Sequence, residues 1–322
     1  MLLVMLWCAL GAAQNVHEIA MLDIPGRPGF DGMAVVRGMV LISHAGAGTV
    51  DIFDPVKRRL LAHVKGMSDP RGIAVDEDGA QIFIANHAAK NIVVLAAGDW
   101  HVVGTIPLNG SPAEIAYIAA WGVIAATDPV SQQLILVDVR SRQQANAVPL
   151  TGTPSGIAFD RSRGLLCVTL QDSRQVITLN RQLQITRRIN LNASQPTGIV
   201  YDPKQDHLYV SVRYAVLSLN AGDGAELARV PADGGIDRLW LDEDSRTLYG
   251  AAGGSLLVMR ADGKLHAIDE LATDVKGYSI AYDPEHKLLF FPGGREGRSK
   301  LLLLKPIGEG PNSDPNAEAK LR

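Results

Sequence analysis

Aromatic residues are scarce in this chain: four tryptophans, seven tyrosines and six phenylalanines make up 5% of 322 residues. Hydrophobic residues nevertheless total 47%, so the apolar mass is aliphatic and ample for a folded core, which excludes disorder for most of the chain. Cysteine is nearly absent, with only Cys8 and Cys167, which excludes a small disulfide-stapled scaffold. No charge predominates. Lys+Arg number 31 against 34 Asp+Glu, a net charge of −3, which speaks against a dedicated nucleic-acid binder. Beyond the first dozen residues no apolar run is long enough for a transmembrane helix. The motifs of several strong chemistries are also missing: no G-x-S-x-G elbow, no P-loop, no H-E-x-x-H and no C-x-x-C-H.

The segment Met1–Ala13, MLLVMLWCALGAA, reads as a secretory leader. Leu2–Leu10 is the apolar stretch, and the small residues Gly11, Ala12 and Ala13 give a cleavage end before Gln14, although no Lys or Arg precedes the run. This predicts a secreted or periplasmic protein. Removal of the leader leaves Cys167 alone, within Leu165-Leu166-Cys167-Val168, as a buried core thiol. Residues 308–322, rich in Gly, Pro, Asn and charge, read as a disordered tail, which leaves 14–307 as the folded domain.

The decisive feature is an internal repeat. Asp69-Pro70-Arg71-Gly72-Ile73-Ala74-Val75-Asp76 recurs as Thr153-Pro154-Ser155-Gly156-Ile157-Ala158-Phe159-Asp160 and as Gln195-Pro196-Thr197-Gly198-Ile199-Val200-Tyr201-Asp202. Weaker copies are anchored at Gly32, Glu114, Arg238 and Ser279, giving steps of 40, 42, 42, 42, 40 and 41 residues. Seven units of this length indicate a repeat architecture.

Each unit holds four short strand signals; in the second unit they are Gly72–Val75, Gln81–Ala85, Asn91–Leu95 and His101–Ile106. No stretch carries a long helical period. The arithmetic is that of an all-β, seven-bladed propeller with four antiparallel strands per blade. The last unit runs out after its third strand, Lys300–Lys305, and Val16–Ile24 precedes the first anchor, so the N-terminal strand should complete the last blade and close the ring. The Asp ending the first strand of a unit (Asp76, Asp160, Asp202, Asp242, Asp283) is expected to accept backbone N–H bonds in the next turn.

The signature P-x-G-I-A-x-D, followed by I-F-I-A-N at Ile82–Asn86 and N-I-V-V-L at Asn91–Leu95, resembles the YVTN-type repeat of YncE-like secreted propellers. NHL-repeat and gluconolactonase-like propellers share much of it. The resemblance covers about residues 16–306 and implies a seven-bladed, extracytoplasmic propeller, often without chemistry of its own. The Trp-Asp dipeptide of the WD-repeat class is absent.

By analogy with other propellers, the loop leading into each inner strand and the loop between the second and third strands share the face where ligands gather. These loops supply Arg27, Asp31, Arg71, His44, Asn86, His87, Asp128, Arg213, Asp237, Arg238, Tyr278 and Arg295. Their arginines suit a carboxylate, phosphate or sugar acid. His44, Asn86, Glu114 and Asp128 are candidate ligands for a divalent metal, Ca or Zn. Glu114 stands where the repeat calls for glycine and is the candidate catalytic residue; the plainer alternative is an ion pair with Arg71.

Two functions are weighed. The first is a monomeric, non-enzymatic scaffold that binds a small anionic ligand or a protein partner, with no cofactor. The second is a metal-assisted lactonase or lyase acting on a small anionic substrate, as the gluconolactonase-like resemblance implies. The Glu-Gly-Pro opening of that family is missing from the first blade. Nucleic-acid binding is a weaker third reading, disfavoured by the net charge.

Overall fold

The protein is described by a computed structural model covering residues 16–76 and 78–306. The leader-like segment and the tail lie outside the described residues.

Seven four-stranded antiparallel sheets follow one another along the chain. Blade 1 is Met33–Val36, Met39–His44, Thr49–Asp54 and Arg59–Lys65; blade 2 is Pro70–Val75, Gln81–Asn86, Asn91–Ala96 and Val102–Pro107. Blade 3 is Ile115–Ile118, Val123–Asp128, Gln133–Asp138 and Gln143–Pro149; blade 4 is Pro154–Asp160, Leu165–Leu170, Gln175–Leu179 and Ile185–Asn190. Blade 5 is Ile199–Asp202, His207–Val212, Ala215–Asn220 and Glu226–Pro231; blade 6 is Leu239–Asp242, Thr247–Ala252, Ser255–Arg260 and His266–Ala272. Blade 7 joins Ala281–Asp283, Leu288–Arg295 and Arg298–Pro306 to the N-terminal strand Val16–Ile24. The one helix among the described residues is a 3-10 turn, Ala119–Trp121.

Ring closure is as the sequence predicts. Val16 pairs with Pro306 and Ile24 with Ser299, antiparallel, with one register shift between Glu18 and Ala20. Both chain ends of the folded domain therefore share one sheet, and the ring has no open first or last blade.

The alternation of strand types follows from position in the ring. Second and third strands are covered on both sides by neighbouring blades, so they read as continuous apolar runs: Ile82, Phe83, Ile84 and Ala85 are all 0% exposed. Fourth strands face outward and alternate, as in Glu226–Pro231. The core is divided into seven hydrophobic clusters, each filling the space between two adjacent blades. Cys167 lies in one of them, and burial pushes its thiol up to about 12, an inert group at neutral pH.

The recurrent aspartates cap their turns. Asp160 accepts from the Ser162 and Arg163 amides, Asp202 from Lys204 and Gln205, and Asp283 from Glu285 and His286. On this same end of the ring, arginines tie blades together: Arg246 pairs with buried Asp202, and Arg163 with Asp160 and Asp206.

The anchor glycines explain themselves by close approach. A Cβ on Gly72 would sit 2.7 Å from the Ala113 carbonyl, and one on Gly156 would sit 2.3 Å from that of Thr197. Each glycine lies against the loop leading into the next blade, and its amide donates to that carbonyl, at 2.9 and 3.1 Å. Three blades depart from glycine at the anchor: Glu114 in blade 3, Arg238 in blade 6 and Ser279 in blade 7.

Candidate functional site

A cavity of about 670 Å³ opens at the axis of the ring, lined by the inner strands and leading loops of the blades. Its size falls within the usual range for small-ligand pockets. The three non-glycine anchors all reach it. Arg238 forms an ion pair with Glu114 from across the channel, and its Nη2 donates to Asp31 Oδ1 at 2.8 Å. Ser279 donates to the backbone carbonyl of the same Asp31. The places where the sevenfold pattern is broken thus converge on one constellation.

The Glu114 and Arg238 side chains are only 20% and 23% exposed. Burial raises the Glu114 carboxyl above the ordinary range; Arg238 opposes this and Asp31 adds to it. Asp237 is raised in the same way, by burial first and then by Asp31, against the pull of Arg238. Burial works against the charge on Arg238, but Glu114 and Asp31 outweigh it and hold the guanidinium firmly protonated.

The structure gathers Asp31, Arg71, Glu114, Asp237, Arg238 and Tyr278 around the cavity, and Phe30 and Trp240, which the loop alignment passes over, supply aromatic walls. Arg71 is not the partner of Glu114. Its Nε and Nη2 donate to Asp69 Oδ2, two residues away, at 3.1 and 2.9 Å, a geometry the short D-P-R spacing favours.

The other expected residues lie elsewhere. His44 is fully buried: Nδ1 contacts Asp51 Oδ2 at 2.8 Å, Nε2 donates to the Arg27 carbonyl at 2.8 Å, and Phe30 stacks on the ring. Asn86 is buried, accepting from the Ser68 amide at 2.5 Å and donating to Asn91. His87 contacts the Pro112 carbonyl at 3.1 Å. Asp128 is buried and accepts from the Val130 and Ser131 amides and from Gln133. Arg27 is exposed on the loop into blade 1 and donates to the Gly46 carbonyl. Arg213 stacks over Tyr214. Arg295 pairs with Asp274 in a second, shallower hollow beside Lys276 and Glu296.

The four candidate metal ligands are therefore not assembled. Glu114 lines the channel while His44, Asn86 and Asp128 do not, and each is engaged by protein groups. Among the described residues no three His, Cys, Asp or Glu are placed to hold a metal ion.

No family model matches this chain. No curated protein matches it either. Its fold is common among solved structures, with 1663 matching chains, so architecture alone selects no function. One of these, a chain of the crystal structure of the mitotic checkpoint complex, superimposes with a TM-score of 0.77 over 96% of this chain and 97% of its own, at 12% identity. That likeness is one of fold. No helix among the described residues is long and apolar enough to cross a membrane.

Proposed function

We propose that this protein is an exported, non-catalytic β-propeller of the YVTN type that binds a ligand or partner at the mouth of its central channel. The observation that carries the reading is the convergence of the non-glycine anchors on one cavity. A repeat under packing constraint alone favours glycine at these positions, because a Cβ collides with the neighbouring carbonyl. Three blades give up that residue, and two of them replace it with charges facing each other in a pocket. The rigid ring presents this pocket without a hinge, which suits recognition, and the one neighbour named above belongs to a protein complex. Export rests on the leader-like segment Met1–Ala13.

The lactonase alternative needs several donors turned to one metal over the channel. Of its candidate ligands only Glu114 faces the cavity, and it is held by Arg238. Binding is accordingly the better-supported reading.

The test is co-purification of the tagged full chain from its own cells, compared with Tyr278→Ala at the channel mouth and Arg140→Glu in an exposed turn between the third and fourth strands, at the other end of the ring. The mouth variant should lose the wild-type partners and the distant variant should keep them. The reverse pattern would move the binding surface to the opposite end.

A further inference from the structure

We propose that the channel mouth selects a cationic group, an ammonium or guanidinium on a slender stem, in place of the anion that the arginines suggest from sequence. This rests on the binding reading above.

The arginines of the cavity are already matched. Arg71 is held by Asp69, and Arg238 is shared between Glu114 and Asp31. Asp237 lines the same cavity and its carboxylate makes no hydrogen bond or ion pair among the described residues. With the Arg71–Asp69 pair neutral, three carboxylates face the single guanidinium of Arg238, an excess of two negative charges. An incoming anion would have to displace Glu114 and Asp31 from Arg238 and then share the space with them. An incoming cation meets carboxylate oxygens with accepting capacity to spare.

Arg27, Arg213, Lys276 and Arg295 of this face lie outside the cavity lining: Arg27 donates to the Gly46 carbonyl, Arg213 stacks over Tyr214, and Lys276 and Arg295 border the separate shallow hollow with Asp274 and Glu296.

Two further features favour an organic cation over a metal ion. The carboxylates are not close enough together to ligate one ion, since no three acidic or imidazole side chains among the described residues form a metal-sized group. The walls include the rings of Phe30, Trp240 and Tyr278, whose π faces attract ammonium and guanidinium groups, and Tyr278 is 51% exposed. A cavity of about 670 Å³ accommodates the end of a lysine or arginine side chain or a short polyamine.

The test is calorimetric titration of the full chain with agmatine, cadaverine, glutarate and a neutral diol of matched length. Agmatine and cadaverine should bind and glutarate and the diol should not, and Asp237→Asn should weaken cation binding about tenfold. Asp237 has no hydrogen bond or ion pair to lose, and Arg238 keeps Glu114 and Asp31, so its variant should melt close to the wild type. Glutarate binding as tightly as agmatine, and lost in Tyr278→Ala, would overturn the cationic preference while leaving a channel-mouth site. Cation binding indifferent to both Asp237→Asn and Glu114→Gln would overturn its placement in the channel. Absence of binding by every probe would overturn the inference, with the binding reading left to the co-purification result.

Discussion

Arg238 Nη2 lies 2.8 Å from Asp31 Oδ1, a contact between residues 207 positions apart in the chain. It runs from blade 6 to the loop leading into blade 1, past the whole of blade 7. The same guanidinium holds Glu114 of blade 3. This tie is separate from the hydrophobic clusters, which join only adjacent blades.

The two ends of that tie should respond unequally to substitution. Arg238→Gln leaves Asp31, Glu114 and Asp237 facing one another without a countercharge. Full burial of such an orphaned set costs several kcal/mol; with Glu114 about a fifth open to the channel and Asp31 and Asp237 more open still, about 2 kcal/mol is expected. Glu114→Gln keeps a hydrogen-bond acceptor for Arg238, whose charge is still met by Asp31, and should cost less than about 1 kcal/mol. Urea denaturation of the two variants checks this; equal losses would mean that the constellation does not act as a shared pair.

Deleting Val16–Ile24 should remove the outer strand of blade 7 and expose the long partner Arg298–Pro306 as a sheet edge. It also takes Val16 and Ile24 from two different inter-blade clusters. The truncated chain should melt well below the full domain or aggregate. An unchanged melting temperature would mean that the strand is an ornament on a ring already closed.

Glycine at the anchors should be irreplaceable where a carbonyl abuts it. Gly156→Ala places a methyl 2.3 Å from the Thr197 carbonyl, a backbone atom that moves only with the loop, and a loss of about 1–3 kcal/mol is expected. Glu114→Gly restores the repeat and should fold normally while losing whatever the channel binds. Thermal melts of the two variants decide it; a neutral Gly156→Ala would remove the packing explanation of the anchor series.

That comparison shows why the fold was more legible than the site. A period of about 41 residues forces the blade count, and the strand left over at the N-terminus forces the closure. The same periodicity misleads at His44, Asn86 and Asp128. These polar residues recur because in several blades the end of the second strand, or the turn just after it, holds the neighbouring loops: His44 donates to the Arg27 carbonyl, Asn86 accepts from Ser68, and Asp172 in blade 4 accepts from the Thr153 amide. A polar residue that keeps the period is a loop staple, and one that breaks it, such as Glu114, faces the channel. The partner of Glu114 was not readable, because reach across the axis depends on side-chain geometry that a repeat alignment does not contain. Arg71 is nearer in the chain, yet Asp69 claims it locally.

Acid should act on the two ends of the ring with opposite signs. Asp202 is held below the usual carboxylate range: burial works against its ionisation, but Arg246 and Tyr209 outweigh it. A depressed folded value means that its stabilisation is present above the unfolded value of 3.8 and is lost as pH falls through the folded one. Glu114 is the reverse case. Its folded value is raised above 4.5, so the folded state takes up the proton first, and stability rises as pH falls through that value, levelling off near 4.5. Wild-type stability should therefore hold or increase slightly on mild acidification and then collapse at lower pH, and Glu114→Gln should shrink the first limb to the share that Asp237 contributes while leaving the collapse unchanged. Affinity for a cation should fall across that same first limb, because protonating Glu114 and Asp237 removes the charges that attract it, while the fold is still intact. Denaturation midpoints and agmatine titrations measured over one pH series separate the two effects. Cation affinity that persisted below pH 4.5 and fell only with the Asp202 collapse would place the binding charges outside the channel.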